Sequence, residues 1–253
     1  MSHFRIVLAY DGTDFIGWQR QASGVSIQGL IEDALSELDG RPVAVAGAGR
    51  TDAGVHALGQ VAGFSLERSI EPNAVLRALN ARLPDAVRVL SAEAVDASFH
   101  PRFSAREKRY EYRIWNAPVA DPFERRYAWH IHDPIDVDAM NAAAAMFEGR
   151  HDFAAFQSAG SAATTTERTI FKSTLSAAGV DVRGGESGRL ITYEISGDGF
   201  LRHMVRAIVG TLVEVGRGRR RPEWIGEVIA SADRGAAGPT APPDGLFLVG
   251  VSY

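Results

Sequence analysis

Apolar and polar positions alternate from the first residues: Phe4, Ile6, Leu8 and Tyr10 fall on one side of a predicted strand, which Asp11-Gly12-Thr13 ends. Ser26 is a good N-cap, and after it Ile27, Leu30, Ile31, Ala34, Leu35 and Leu38 recur at helical spacing until Asp39-Gly40 stops the run. Two short apolar runs, Val43–Ala46 and Val61–Leu66, are predicted strands on either side of a glycine-rich loop. A second helix is expected over Pro72–Leu83, with Val75, Leu76, Leu79 and Leu83 on one face, and a strand over Val87–Val95.

The second half repeats this succession without repeating the sequence. Lys108–Trp115 alternates as a strand with Tyr110, Tyr112 and Ile114 on one side, and a long loop is expected over 118–134. Val137, Met140, Ala144 and Phe147 mark a helix, followed by a second long loop over 150–166. Strands near 168–176 and 190–196, a strongly apolar helix near 201–215, a short helix near 223–230 and a strand over 246–251 complete the chain. With the short helix set aside, each half reads strand, helix, strand, strand, helix, strand, the split βαβ succession of ferredoxin-like and RNA-recognition units. The expected fold class is therefore α+β, with two ferredoxin-like units forming an extended, mainly antiparallel sheet with a central cleft. Residues 97–105 are the expected boundary, giving domains 1–105 and 106–253.

Composition narrows the function classes. Apolar residues make up 45% and charged residues 23% of 253, ordinary for a globular protein. No run of some eighteen apolar residues occurs, and Met-Ser-His-Phe-Arg-Ile is unlike a signal peptide, so the expected location is the cytoplasm, with no membrane partner. The absence of cysteine rules out a disulfide, a thiolate nucleophile and cysteine-ligated zinc. A net charge of −4 argues against a protein that grips nucleic acid everywhere. The arginines nevertheless cluster: Arg202, Arg206, Arg217, Arg219, Arg220 and Arg221 lie within 200–221 against one acid, Glu214, a patch able to bind phosphates.

The glycine-rich loop carries the most concentrated chemistry. Gly-Ala-Gly-Arg-Thr-Asp-Ala-Gly-Val-His-Ala, residues 47–57, puts Arg50, Asp52 and His56 within seven positions. An opposite charge nearby favours a carboxylate's ionised form, which a carboxylate nucleophile requires. The plainer reading is that Asp52 caps its own turn. A phosphate cradle fits poorly, because the dinucleotide pattern would need glycine at Asp52 and the P-loop ending is missing. His56 beside such a loop reads as a residue that fixes it by hydrogen bonding. Trp18 and Arg20 read either as an RNA-contacting pair or as a covered loop.

This stretch resembles the signature of the TruA family of tRNA pseudouridine synthases. Lys-Arg-Tyr-Glu-Tyr-Arg-Ile (108–114), Gly-Arg-His-Asp-Phe (149–153) and Gly-Phe-Leu-Arg-His-Met-Val-Arg-Ala-Ile-Val-Gly (199–210) agree with it, so the likeness runs from Tyr10-Asp11-Gly12-Thr13 to the last strand. The resemblance implies a cytoplasmic isomerase that converts uridine to pseudouridine at positions 38, 39 and 40 in the anticodon stem-loop of tRNA. It implies Asp52 as the catalytic nucleophile, and as substrate-binding residues Tyr110 packing on the target uracil, Arg50 helping to extrude the base and Arg206 pairing with Asp52. It also implies a homodimer, no cofactor and no metal. Two rivals remain open from the residues alone: an RNA-binding or chaperone protein without catalysis, and a nucleoside-cleaving hydrolase, against which stands the single convincing carboxylate.

Overall fold

The computed structural model describes residues 1–158, 160, 164–181 and 187–253. The protein is mixed α+β and divides into two compact units, residues 1–108 with 247–253, and residues 109–246. In chain order the first part runs β1 (Ser2–Tyr10), α1 (Ile27–Asp39), β2 (Ala46–Gly47), β3 (His56–Leu66), α2 (Pro72–Asn80) and β4 (Val87–Val95). There follow β5 (Glu107–Asn116), β6 (Trp129–Ile131), α3 (Val137–Ala145), β7 (Gly149–Asp152), β8 (Glu167–Asp181), β9 (Ser187–Gly197), α4 (Met204–Gly216), α5 (Trp224–Ser231) and β10 (Leu246–Ser252). No helix among the described residues is long and apolar enough to cross a membrane.

In the first unit β1 is central, antiparallel to β3 on one side and to β4 on the other. The predicted alternation holds: Phe4, Ile6, Leu8 and Tyr10 are all buried. β2 pairs antiparallel with β3, and the start of β10 adds a parallel neighbour, Phe247 opposite His56 and Leu248 opposite Ala57. The last strand thus packs with the first unit, although chain order places it after the second. Helix α1 starts and stops as its sequence dictates. Ser26 Oγ accepts from the Gly29 amide, and Gly40 closes the helix in the left-handed region at φ 76°, its N–H donating to the Ser36 carbonyl.

The expected strand over Val43–Ala46 shrinks to Ala46–Gly47, and the reason lies in α1. The Val43 amide donates to Ser36 Oγ, the Val45 amide to Glu32 Oε1, and the Val45 carbonyl accepts from Gln28. Side chains of the helix satisfy backbone groups that a ladder would otherwise have paired.

In the second unit β8 and β9 form a long antiparallel hairpin, and β7 pairs antiparallel with β8. The sheet order here is β5-β9-β8-β7, with the short β6 parallel to β5. Two predicted loops therefore contain short strands. β6 lies within 118–134 and β7 starts at Gly149 and runs into 150–166, and their three and four residues are too few for a period of two to show. Part of the second loop, at 159 and 161–163, is outside the described residues.

Helix α4 is the apolar centre of this unit, with Met204, Val205, Ala207, Ile208, Val209, Leu212 and Val213 buried. It begins three residues later than its apolar pattern suggests. His203 precedes it in the left-handed region at φ 61°, and Leu201 is tied back to the Met204 sulfur. No Ser, Thr, Asp or Asn marks that start in the sequence.

Candidate active site

The glycine-rich loop spans Ala48–Val55, with His56 already on β3. Several backbone groups on either side of Asp52 are tied to neighbouring elements. At the loop's entrance the Ala48 amide donates to the Val61 carbonyl at 2.8 Å. Gln60, fully buried on β3, donates from Nε2 to the Gly49 carbonyl at 2.8 Å and to the Tyr10 hydroxyl at 3.4 Å. The Tyr10 hydroxyl lies 2.8 Å from Thr51 Oγ1, and the Thr51 carbonyl accepts from the Trp18 amide at 3.0 Å. On the far side the Val55 amide donates to the Asp52 carbonyl, and Gly54 turns the chain at φ 78°.

Thr51 is buried, Asp52 half-buried and Arg50 exposed. Anchoring Thr51 through both its hydroxyl and its carbonyl fixes the backbone from which the Asp52 side chain projects. Close packing from the β1 end reinforces this. A Cβ on Gly12 would overlap the Val55 carbonyl, and one on Gly17, at φ 101°, would lie 2.5 Å from the Thr51 carbonyl oxygen.

His56 is buried and stacks on Phe247 with ring centroids 4.7 Å apart. Its Nδ1 accepts from the Gly12 amide at 3.0 Å. The same nitrogen is 3.2 Å from Asp11 Oδ1, but that oxygen is engaged by the amide and hydroxyl of Thr13. The Gly12 N–H points at Nδ1, so that nitrogen is the acceptor of this bond. The residue fastens the Tyr10–Thr13 turn to the base of the loop.

Burial pushes the Tyr10 hydroxyl up to about 12, hydrogen bonds from Thr51 and Gln60 offsetting part of the effect. The phenol is therefore neutral at any ordinary pH. Tyr10→Phe is expected to destabilise the protein by about 1–3 kcal/mol, the usual range for stranding a buried polar partner. Because the folded value lies above the unfolded one, Tyr10's stability contribution is complete below pH about 10 and lost towards pH about 12. Urea unfolding at neutral and alkaline pH reads both effects: the phenylalanine variant should start lower and lose less as pH rises.

Tyr110 and Arg206 belong to the second unit. Tyr110, on β5, is buried and meets Phe200 edge to face, ring centroids 5.0 Å apart at 78°. Tyr112, two residues on, is fully buried and donates its hydroxyl to the Pro242 carbonyl at 2.8 Å. Burial raises its pKa far above the ordinary tyrosine range.

Arg206 is half-buried on the first turn of α4. Its Nε donates to the Ala241 carbonyl at 2.8 Å, and its own carbonyl accepts from the Ala241 amide at 3.0 Å. The segment 238–241 lies tightly along the helix. Thr211 Oγ1 accepts from the Gly238 amide while donating to the Ala207 carbonyl, and a Cβ on Gly210 would overlap the Pro239 carbonyl.

The arginine cluster is partly engaged by the protein itself. Arg219 pairs with Glu214 at 3.0 Å, Arg217 lies 3.8 Å from the same carboxylate, and Arg220 sits 5.0 Å over the Trp224 ring. Arg219, Arg220 and Arg221 are exposed. Trp18 is buried against Gly47, whereas Arg20 is exposed and bonds Glu32, Asp33 and the Gly29 carbonyl. His151 and Asp152 also serve the chain itself, through the Glu148 carbonyl and the Ala154 amide.

Sequence reasoning passed over Tyr10 and Gln60 beneath the Asp52 loop, and Phe200 beside Tyr110. Gln60 carried a readable signal, an uncharged polar residue inside an otherwise apolar strand. Tyr10 carried none, because its hydroxyl sits at the end of a side chain already accounted for by the core.

A model of the tRNA pseudouridine synthase family matches residues 6–104 and 143–253. The chain is similar to a tRNA pseudouridine synthase A from Brevibacillus brevis, 47% identical over 253 residues with both chains covered in full. It is 46% identical to one from Myxococcus xanthus, covering all of this chain and 92% of that one, and 44% identical to one from Pelobacter propionicus, again over both full lengths. The chain belongs to the tRNA pseudouridine synthase family, whose members are isomerases.

Proposed function

We propose that this protein isomerises uridine to pseudouridine at positions 38, 39 and 40 in the anticodon stem-loop of tRNA, with Asp52 as the nucleophile. Family membership across the chain supports a tRNA uridine substrate. The observation that carries the residue assignment is the Asp52 loop. It holds a half-buried carboxylate on a backbone fixed from three sides, an arrangement that lowers the reorganisation needed for attack.

The reaction breaks the bond from C1′ to N1, turns the uracil and joins C1′ to C5. N1 gains a proton and C5 loses one, so nothing is oxidised or reduced. Asp52 opens the sequence by bonding to C1′ or to C6, and leaves when the new carbon–carbon bond is complete. A stacked and paired base is out of reach of any such group, and flipping it out costs a few kcal/mol. An aromatic contact returns roughly 1–3 kcal/mol per base. Tyr110, braced by Phe200, is the proposed surface for the uracil, and its hydroxyl assists removal of the C5 proton. Arg50 occupies the space the base vacates, and Arg206 balances the charge of Asp52.

The finer fold reading is ferredoxin-like for both units. The succession β1-α1-β2-β3-α2-β4, with β2 on the outer side of β3, supports it for the first. A homodimer, each tRNA touching both subunits, completes the proposal and is read by sedimentation of the protein with and without tRNA.

The test is an unmodified tRNA transcript incubated with the protein and no added cofactor. Pseudouridine at unchanged RNA mass is the expected product. Free uracil would instead indicate a hydrolase, and tight binding without product a chaperone. A second prediction concerns the basic patch. Replacing Arg219, Arg220 and Arg221 together by alanine should weaken tRNA binding and reduce the salt slope by about one for each phosphate that the patch neutralises. An unchanged slope would mean that this patch faces away from the RNA.

A further inference from the structure

Residues 97–104 form a turn of the first unit that holds a large apolar side chain out in water. Phe103 is 78% exposed, more than any other large hydrophobic residue among those described. The turn around it is rigid. His100 Nδ1 accepts from the amides of both Arg102 and Phe103 at 3.1 and 3.3 Å, and its ring lies 4.4 Å from the Phe103 ring. Ser104 closes the turn in both directions, its hydroxyl accepting from the His100 amide and its own amide donating to the His100 carbonyl. The Tyr253 hydroxyl donates to the Pro101 carbonyl at 2.8 Å. Arg102, itself exposed, keeps its guanidinium 5.7 Å from the Phe103 ring centroid. Arg106, also exposed, adds a second positive charge nearby in the chain.

We infer that Phe103, with Arg102 beside it, is a stacking platform for an unpaired base of the RNA substrate, distinct from the Asp52 loop. The inference rests on the reading of this chain as a tRNA-modifying enzyme. Every base offers a flat face to an aromatic ring, and a cation at the ring's side suits the adjoining phosphate. Rigidity matters because a ring already fixed loses little freedom when a base settles on it. A second copy of the chain fits the surface less well. A two-fold contact centred on Phe103 would bring Arg102 towards its own counterpart, setting like charges together.

The experiment measures tRNA-transcript affinity for the native protein, F103A, F103W and R102A over a salt series, with assembly state followed by sedimentation. F103A should lose about 5- to 100-fold in affinity at an unchanged salt slope, since stacking releases no counterions. F103W should restore binding, and R102A should lower the slope by about one. Full affinity in F103A, or equal weakness in F103W, overturns the platform. A changed assembly state in F103A with full affinity per assembled enzyme assigns the surface to a second copy and also overturns it. A native protein that binds tRNA through Phe103 but makes no pseudouridine would sink the catalytic reading and keep this one.

Discussion

Asp52→Asn is expected to lower pseudouridine formation by roughly 10⁴-fold or more, the scale on which removing a nucleophile acts, while tRNA affinity stays close to native. Asparagine keeps the size and hydrogen-bonding shape of the carboxylate and loses its nucleophilic oxygen. The loop around it is held by Tyr10, Gln60 and Trp18, so its backbone should keep its place in the variant. Tritium release from C5-labelled tRNA together with filter binding gives the two readouts. Substantial turnover by the variant would remove Asp52 from the mechanism. Asp52→Ala tests the proposed partnership with Arg206 separately. Both residues are half-buried, so the loss of stability should be smaller than the roughly 3–5 kcal/mol of a fully buried pair. An unchanged urea midpoint would confine Asp52 to chemistry.

Gly12→Ala should injure stability and turnover together, by about 1–3 kcal/mol or more and by up to ~10²-fold in kcat. The added methyl meets a backbone carbonyl, that of Val55, which no rotamer change can move aside. Either the turn after β1 lifts, breaking the Gly12–His56 hydrogen bond, or the loop carrying Asp52 is displaced. Gly250→Ala is the control, because a Cβ there meets nothing within 4 Å. The two variants differ by position and not by chemistry, so thermal melts and single-turnover rates can be compared directly. A Gly12→Ala protein with native melting and native rate would show that the turn and the loop move independently.

How much of this was legible in the sequence depends on which groups did the work. Helix α1 was readable end to end because Ser26 and Gly40 act through their own local geometry. The strand expected at Val43–Ala46 was mostly lost because Glu32, Ser36 and Gln28 reach across from that helix, and side-chain capture at a distance leaves no periodic trace. β6 and β7 were hidden by brevity. At the site, the motif exposed Arg50 and Asp52 but not the Tyr10–Thr51–Gln60 network beneath them. That network joins residues 41 and 50 positions apart, pairings that only the fold creates. Likewise Arg206 was readable as a polar residue on an apolar helix, whereas its attachment to Ala241 was not.

The parallel pairing of Phe247 and Leu248 with His56 and Ala57 has a bearing on how this chain can mature. The strand that leads out of the Asp52 loop waits for a neighbour made almost two hundred residues later. Residues 1–108 emerging from a ribosome therefore lack a border strand until synthesis reaches 247–253, and a fragment cut before that point would leave the open edge of β3 available to a foreign strand.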